Sequence, residues 1–181
     1  VASQTTTDRS GARVLSRDHI VDALRDIDAQ SRAAGKLIDL AIYGGAAIVL
    51  AFDLRLATRD VDAVIRSDPS YARDLCRRIA EARTWPEDWL NDGVKGYLSS
   101  NEAMQLMREF PGSNEGGLRV HLPSAEYLFA MKCMAMRPEG IDGSHDISDI
   151  EALARRIGIK TAQDALALVE QFYPQKLIPP K

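Results

Sequence analysis

Residues 37–65 read LIDLAIYGGAAIVLAFDLRLATRDVDAVI, and the fold is decided in this stretch. Leu37 to Tyr43 is a short apolar run with branched residues, the pattern of a buried strand, and it stops at Gly44-Gly45. Ala46 to Leu54 reads as an apolar helix, Arg55 to Arg59 as a polar break, and Asp60 to Arg66 as a second short strand. A strand, a glycine turn, a helix and another strand predict an α/β fold.

Upstream, Ser16 is an N-cap residue, and Ile20, Leu24 and Ile27 recur at helical spacing until Gly35 supplies a stop. Residues 1–15 are rich in Ser, Thr and Gly without periodicity, which predicts a mobile arm outside the fold. Downstream, residues 70–84 form a helical pattern with Leu75, Cys76 and Ile79 on its buried side. WPEDWLNDG, residues 85–93, is a turn-rich connection whose two tryptophans read as packing anchors. Residues 117–123, GLRVHLP, read as a further strand, followed by helical segments at 124–137, 145–158 and 161–173. The organisation expected is an arm (1–15), an α/β core (16–123) and a C-terminal helical part (124–181) packed on that core, one domain overall.

A chain of 181 residues with 45% hydrophobic and 27% charged residues has the composition of one globular domain. No apolar stretch approaches the roughly 20 residues of a membrane span, and the first residues lack the apolar centre of a secretory signal. A cytoplasmic protein with no membrane association is therefore expected. With 23 Lys+Arg against 26 Asp+Glu, a surface built to clamp duplex DNA is excluded. Cys76 and Cys133 sit inside apolar helical patterns, where a thiol acts as a small hydrophobe. There is no CxxC pair and no HExxH, and His19, His121 and His145 are scattered.

Asp60 and Asp62 flank Val61, so in a strand both carboxylates project from one face, about 7 Å apart along the chain. Such a pair can share a hard divalent cation of the kind used in phosphoryl transfer. Gly44 and Gly45, between a strand and a helix start, would let backbone amides approach a phosphate. Each signal alone has a bland reading, a solvated pair of acids or a tight turn. Together they place a phosphate cradle and metal carboxylates on adjoining strand ends.

Through YGGAAIVLAFDLRLATRDVDAVI (43–65) the sequence resembles the nucleotidyltransferase superfamily with the polymerase-beta-like fold, whose pattern is a hydrophobic residue, Gly-Gly or Gly-Ser, a spacer, then Asp-hydrophobic-Asp. EYLFAMKCMAMR followed by HDISDIEAL (126–153) is similar to the later motifs of its abortive-infection, AbiEii-like toxin branch. The resemblance covers about two thirds of the chain and implies a small mixed sheet with flanking helices and a C-terminal helical extension. It further implies a nucleoside triphosphate, Mg2+ (or Mn2+), and transfer of a nucleoside monophosphate to an RNA or protein acceptor by a toxin-like enzyme. By the same resemblance Asp60 and Asp62 would hold the metal, Gly44 and Gly45 the phosphates, Lys132 would neutralise phosphate charge, and Asp146 would orient or deprotonate the acceptor.

The residues support parts of this independently. On a helical wheel the neighbours of Lys132 are Leu128, Phe129, Ala135 and Met136, so its ammonium leaves an apolar face and must snorkel to water, meet a phosphate, or reach Asp146. Asp146 and Asp149 stand one helical turn apart, where acids also favour the helix dipole. Arg55, Arg59, Arg66, Arg73, Arg77, Arg78 and Arg83 cluster around the proposed site, either as a solvated face or as a local patch for a phosphorylated acceptor. Many active nucleotidyltransferases carry a third carboxylate on a later strand; the candidate strand here, LRVHL, offers His121 instead. That departure supports an alternative, a noncatalytic nucleotide-binding or protein-interaction module with a degenerate metal site.

Overall fold

In the computed structural model, residues 6–7, 13–136 and 145–178 are described. The elements are β1 (Thr6–Thr7), β2 (Arg13–Ser16), α1 (Arg17–Ala33), β3 (Leu37–Ile42), α2 (Gly44–Ala47), β4 (Ala57–Thr58), β5 (Val61–Ile65), α3 (Pro69–Arg83), β6 (Leu90–Asn91), β7 (Met104–Ser113), β8 (Gly116–Pro123), α4 (Ala125–Ala135), α5 (Asp146–Ile157) and α6 (Ala162–Phe172). A π-helical turn (Ile48–Phe52) continues α2. The fold is mixed α/β: a five-stranded sheet in the order β6-β5-β3-β8-β7, in which β3 runs antiparallel to β5 and parallel to β8, and β5 parallel to β6.

Alternation gives the sheet two unlike faces. Ile38, Leu40, Ile42, Val61, Ala63, Leu118 and Val120 are at most 1% exposed and form the apolar face. Helix α1 contributes Ile20, Leu24 and Ile27, all fully buried, and packs against β3 and α3. The other face carries Asp39, Tyr43, Asp62, Arg119 and His121, so the run Leu37–Tyr43 is not the uniformly apolar strand that it resembles in sequence. Ser16 caps α1 in a reciprocal box with His19, whose ring accepts from the Ser16 amide at 3.2 Å.

Three elements depart from the sequence reading. Residues 13–15 lie inside the expected arm but form β2, which pairs with β4 and buries Leu15 to 2% exposure. The rest of the arm is outside the described residues, Thr6–Thr7 excepted. The apolar helix begins at Gly44 rather than after the glycines, then widens into its π turn and stops at Asp53, which takes the left-handed conformation (φ 52°). Ten residues before the GLRVHLP strand form an unanticipated strand, β7, at the sheet edge. Its buried residues, Met107 and Phe110, stand three apart, so no period of two is visible, and Pro111 is tolerated because an edge strand need not donate on both sides.

The described residues cluster into two compact units: one comprising residues up to 94 and 105–122, the other 95–104 and those from 123 onward. In the second unit, α5 and α6 both pack on α4. Residues 95–104 join that unit through hydrogen bonds, from Ser99 N to Tyr127 Oη (3.0 Å), Asn101 Nδ2 to Gln171 O (2.8 Å) and Tyr173 Oη to Tyr97 O (2.6 Å). Gly158, at φ 79°, ends α5, and Thr161 with Asp164 opens α6 in a capping box. Residues 137–144, which include the end of the helix expected to 137, lie outside the described residues.

Candidate functional site

Asp60 precedes β5 and Asp62 lies within it; both are half-buried. A Cβ added at Gly44 would overlap the Asp62 carboxylate, and Gly44 itself has φ +60°, so two independent constraints require glycine there. At Gly45 a Cβ would meet Thr58 Oγ1 at 2.6 Å and Arg55 Nη1 at 3.0 Å. The glycines thus admit close approach by side chains of this chain, with Asp62 seated against the start of the helix.

The residue that faces the aspartates from the neighbouring strand is Asn91, which the sequence reading passed over. It lies in register with Asp62. Its Nδ2 donates to Asp60 Oδ2 at 3.0 Å, while its Oδ1 accepts from the Gly93 amide at 3.0 Å. A two-residue strand embedded in WPEDWLNDG offers no periodic signal, and only the pairing with β5 reveals it.

His121 does not supply a third group. The register Val64–Ala41–His121 sets it level with Val64, two strands away, or about 10 Å across the sheet. Its Nε2 lies 3.3 Å from Asp39 Oδ1, and Arg119 Nη1 lies 3.5 Å from Asp39 Oδ2. His121 therefore belongs to a cluster around Asp39. The 3.3 Å approach is not an aligned hydrogen bond, since Asp39 Oδ1 is buried without one.

In the second unit, Lys132 Nζ lies 3.0 Å from Asp146 Oδ1 and 2.9 Å from Asp149 Oδ2, with the three side chains 13%, 17% and 6% exposed. Asp146 is the partner the sequence suggests; Asp149, read there as a helix-dipole acid, is the more deeply buried of the two. One ammonium is thus shared by two carboxylates.

The arginines of α3 do not form an uncompensated basic patch. Arg77 pairs with Asp74 and Glu81, Arg78 with Asp74, Arg83 with Asp26 and Arg73 with Asp92. The Arg77 hydrogen bond is the main cause that holds the Asp74 carboxyl below its ordinary value. Trp89 is buried and donates from Nε1 to Cys76 O at 3.1 Å, with Trp85 edge-on at 5.1 Å. Burial pushes the Cys76 thiol up to about 12, which leaves it unreactive at neutral pH.

Among the described residues, no group of three or more His, Cys, Asp or Glu side chains is placed to hold a metal ion. Two carboxylates with an adjacent carboxamide nevertheless suit Mg2+, which commonly takes one or two protein carboxylates and completes its shell with water and substrate phosphate. No helix among the described residues is long and apolar enough to cross a membrane. No family model, no curated protein and no solved structure matches the chain.

Proposed function

We propose that this chain is a metal-dependent nucleotidyltransferase that moves a nucleoside monophosphate from a nucleoside triphosphate to an RNA or protein acceptor, in the manner of the toxin branch that its sequence resembles. The observation that carries the reading is the contact of the two motifs: the Asp62 carboxylate lies where a Gly44 side chain would be, with Asp60 on the same side of β5. Two signals that are weak separately meet in one place. Asp60 and Asp62 would hold Mg2+ or Mn2+, which when bound supplies charge stabilisation to a phosphoryl oxygen. Gly44 and Gly45 keep side chains away from the helix start, and Arg55, beside Gly45, brings a guanidinium near the same turn. Lys132 and Asp146 keep the roles that the resemblance assigns, phosphate charge and acceptor hydroxyl. Since Lys132 is already held by two carboxylates, it would have to exchange one of them for phosphate.

Magnesium-dependent incorporation of labelled nucleotide, screened with all four triphosphates against total RNA and protein, tests the proposal. Incorporation by the wild type and its loss in Asp60→Ala are expected. The alternative, a noncatalytic nucleotide-binding or interaction module, is favoured by His121, which stands beside Asp39 and leaves the strand LRVHL without a third carboxylate for the pair. Nucleotide binding without incorporation under every condition would select it.

A further inference from the structure

We infer that Asn91 is the positioning residue of the Asp60–Asp62 pair, holding Asp60 in place for a divalent cation, an inference that rests on reading that pair as a cation site. The parallel register of β5 and β6 puts Asn91 directly beside Asp62, and its amide reaches along the strand to Asp60. Both ends of the carboxamide are engaged: Nδ2–H with Asp60 Oδ2 and Oδ1 with the Gly93 N–H, each at 3.0 Å. The flipped amide would turn an oxygen toward a carboxylate and an N–H toward an N–H, so the orientation is determined by the network. The bond holds one oxygen of Asp60 in place while Oδ1 takes no part in it. Gly93 closes the same corner, because a Cβ there would lie 3.1 Å from Asn91 Oδ1 and 4.0 Å from Asp62 Oδ1.

The carboxamide of Asn91 is neutral, so it fixes Asp60 without adding a charge of its own. A carboxylate of the same shape at position 91 would add a negative charge against Asp60 and facing the same ion. Partners that orient metal-binding carboxylates typically account for about 10- to 100-fold in affinity when removed.

The test is a Mn2+ titration of the nucleotide-free full chain, with bound ion counted by electron paramagnetic resonance and melting followed in parallel. The wild type should bind Mn2+, Asn91→Ala should bind it about 10-fold more weakly or worse, and Asn91→Asp should bind it more tightly, since an added carboxylate raises the ligand charge. Asn91→Asp should also melt lower than the wild type without metal and recover on adding Mn2+, since carboxylates at hydrogen-bond distance repel until an ion joins them. A purely structural asparagine predicts lower melting in both variants with wild-type Mn2+ affinity, and that result overturns the inference. Asp60→Asn in the same titration separates the levels: if it leaves Mn2+ binding unchanged, the reading of the aspartate pair fails; if it abolishes binding while both Asn91 variants bind as the wild type, the role of Asn91 alone fails.

Discussion

At Gly44 a side chain is opposed twice, by a left-handed backbone and by the Asp62 carboxylate that fills the space a Cβ would need. Gly44→Ala should cost about 2 kcal/mol or more, from αL strain together with overpacking, and should displace Asp62, so that melting temperature and Mn2+ affinity fall together. Loss of stability with unaltered Mn2+ affinity would show that Asp62 is not a ligand. Lys132 illustrates how a second partner changes an expectation. Its apolar helical surround suggests that Met, of similar length, would be tolerated or even stabilising. With Asp146 and Asp149 both within 3.0 Å of Nζ and largely buried, removing the ammonium instead takes from two carboxylates the positive charge they share. Lys132→Met should therefore destabilise by about 3 kcal/mol, read by chemical denaturation. The triple variant Lys132→Met/Asp146→Asn/Asp149→Leu should recover much of that loss, and its failure to do so would mean that the cluster acts through packing rather than charge.

Helix α3 ends on Thr84, a β-branched residue held left-handed at φ 54° while its amide donates to Ala80 O and Glu81 O. Those bonds use the backbone alone, as does the acceptance by Thr84 O from Arg13. Glycine at that position keeps every one of them and removes the strain, so Thr84→Gly should stabilise by about 1 kcal/mol, raising the melting temperature by about 2–4 °C. An unchanged or lower melting temperature would mean that the hydroxyl or methyl of Thr84 contributes more than the backbone conformation costs. The contrast with α1 is instructive. Ser16 satisfies its helix start through a box completed by His19, whose ring also stands edge-on to Trp85 at 6.3 Å.

Three carboxylates in separate parts of the chain share one titration behaviour. Asp68 is held below its ordinary value of 3.8 by a hydrogen bond from Lys36 and by the Tyr71 amide, Asp74 chiefly by Arg77, and Asp164 by Thr161 in the α6 capping box. Because each folded-state value lies below the unfolded one, the stability these groups contribute is fully present above about pH 4 and is lost as pH falls through the folded values. Denaturation measured from neutral pH downward should show stability falling below about pH 4, and Asp68→Asn, Asp74→Asn and Asp164→Asn combined should flatten that slope. An unchanged slope in the triple variant would assign the acid sensitivity elsewhere.

Local pattern was sufficient for α1, β3, β5, α3 and the three C-terminal helices, because caps, helical periodicity and glycine stops act over a few residues and Ile20, Leu24 and Ile27 announce their buried face by spacing alone. It also singled out Gly44, Asp60 and Asp62, since the strand period fixes which side a pair of acids shares and glycine marks where backbone conformation is special. Pairing between distant segments has no such signature. Asn91 becomes a neighbour of Asp60 only when a two-residue strand lines up with β5, 31 positions away. His121 is committed to Asp39 by the register of β8 on β3, although its place in LRVHL offered it as a stand-in for a carboxylate. Edge strand β7 hides because its buried residues break the period of two, and residues 95–104 join the C-terminal unit through hydrogen bonds from Ser99 N, to Tyr97 O and from the Asn101 carboxamide that leave no periodic trace. Helix geometry puts Asp146 and Asp149 on one side of α5, but the packing of α4 on α5 gave Lys132 both carboxylates. Which elements form was thus written in local periodicity, while partners and charge balance at each candidate site depend on register and packing between segments far apart in the chain.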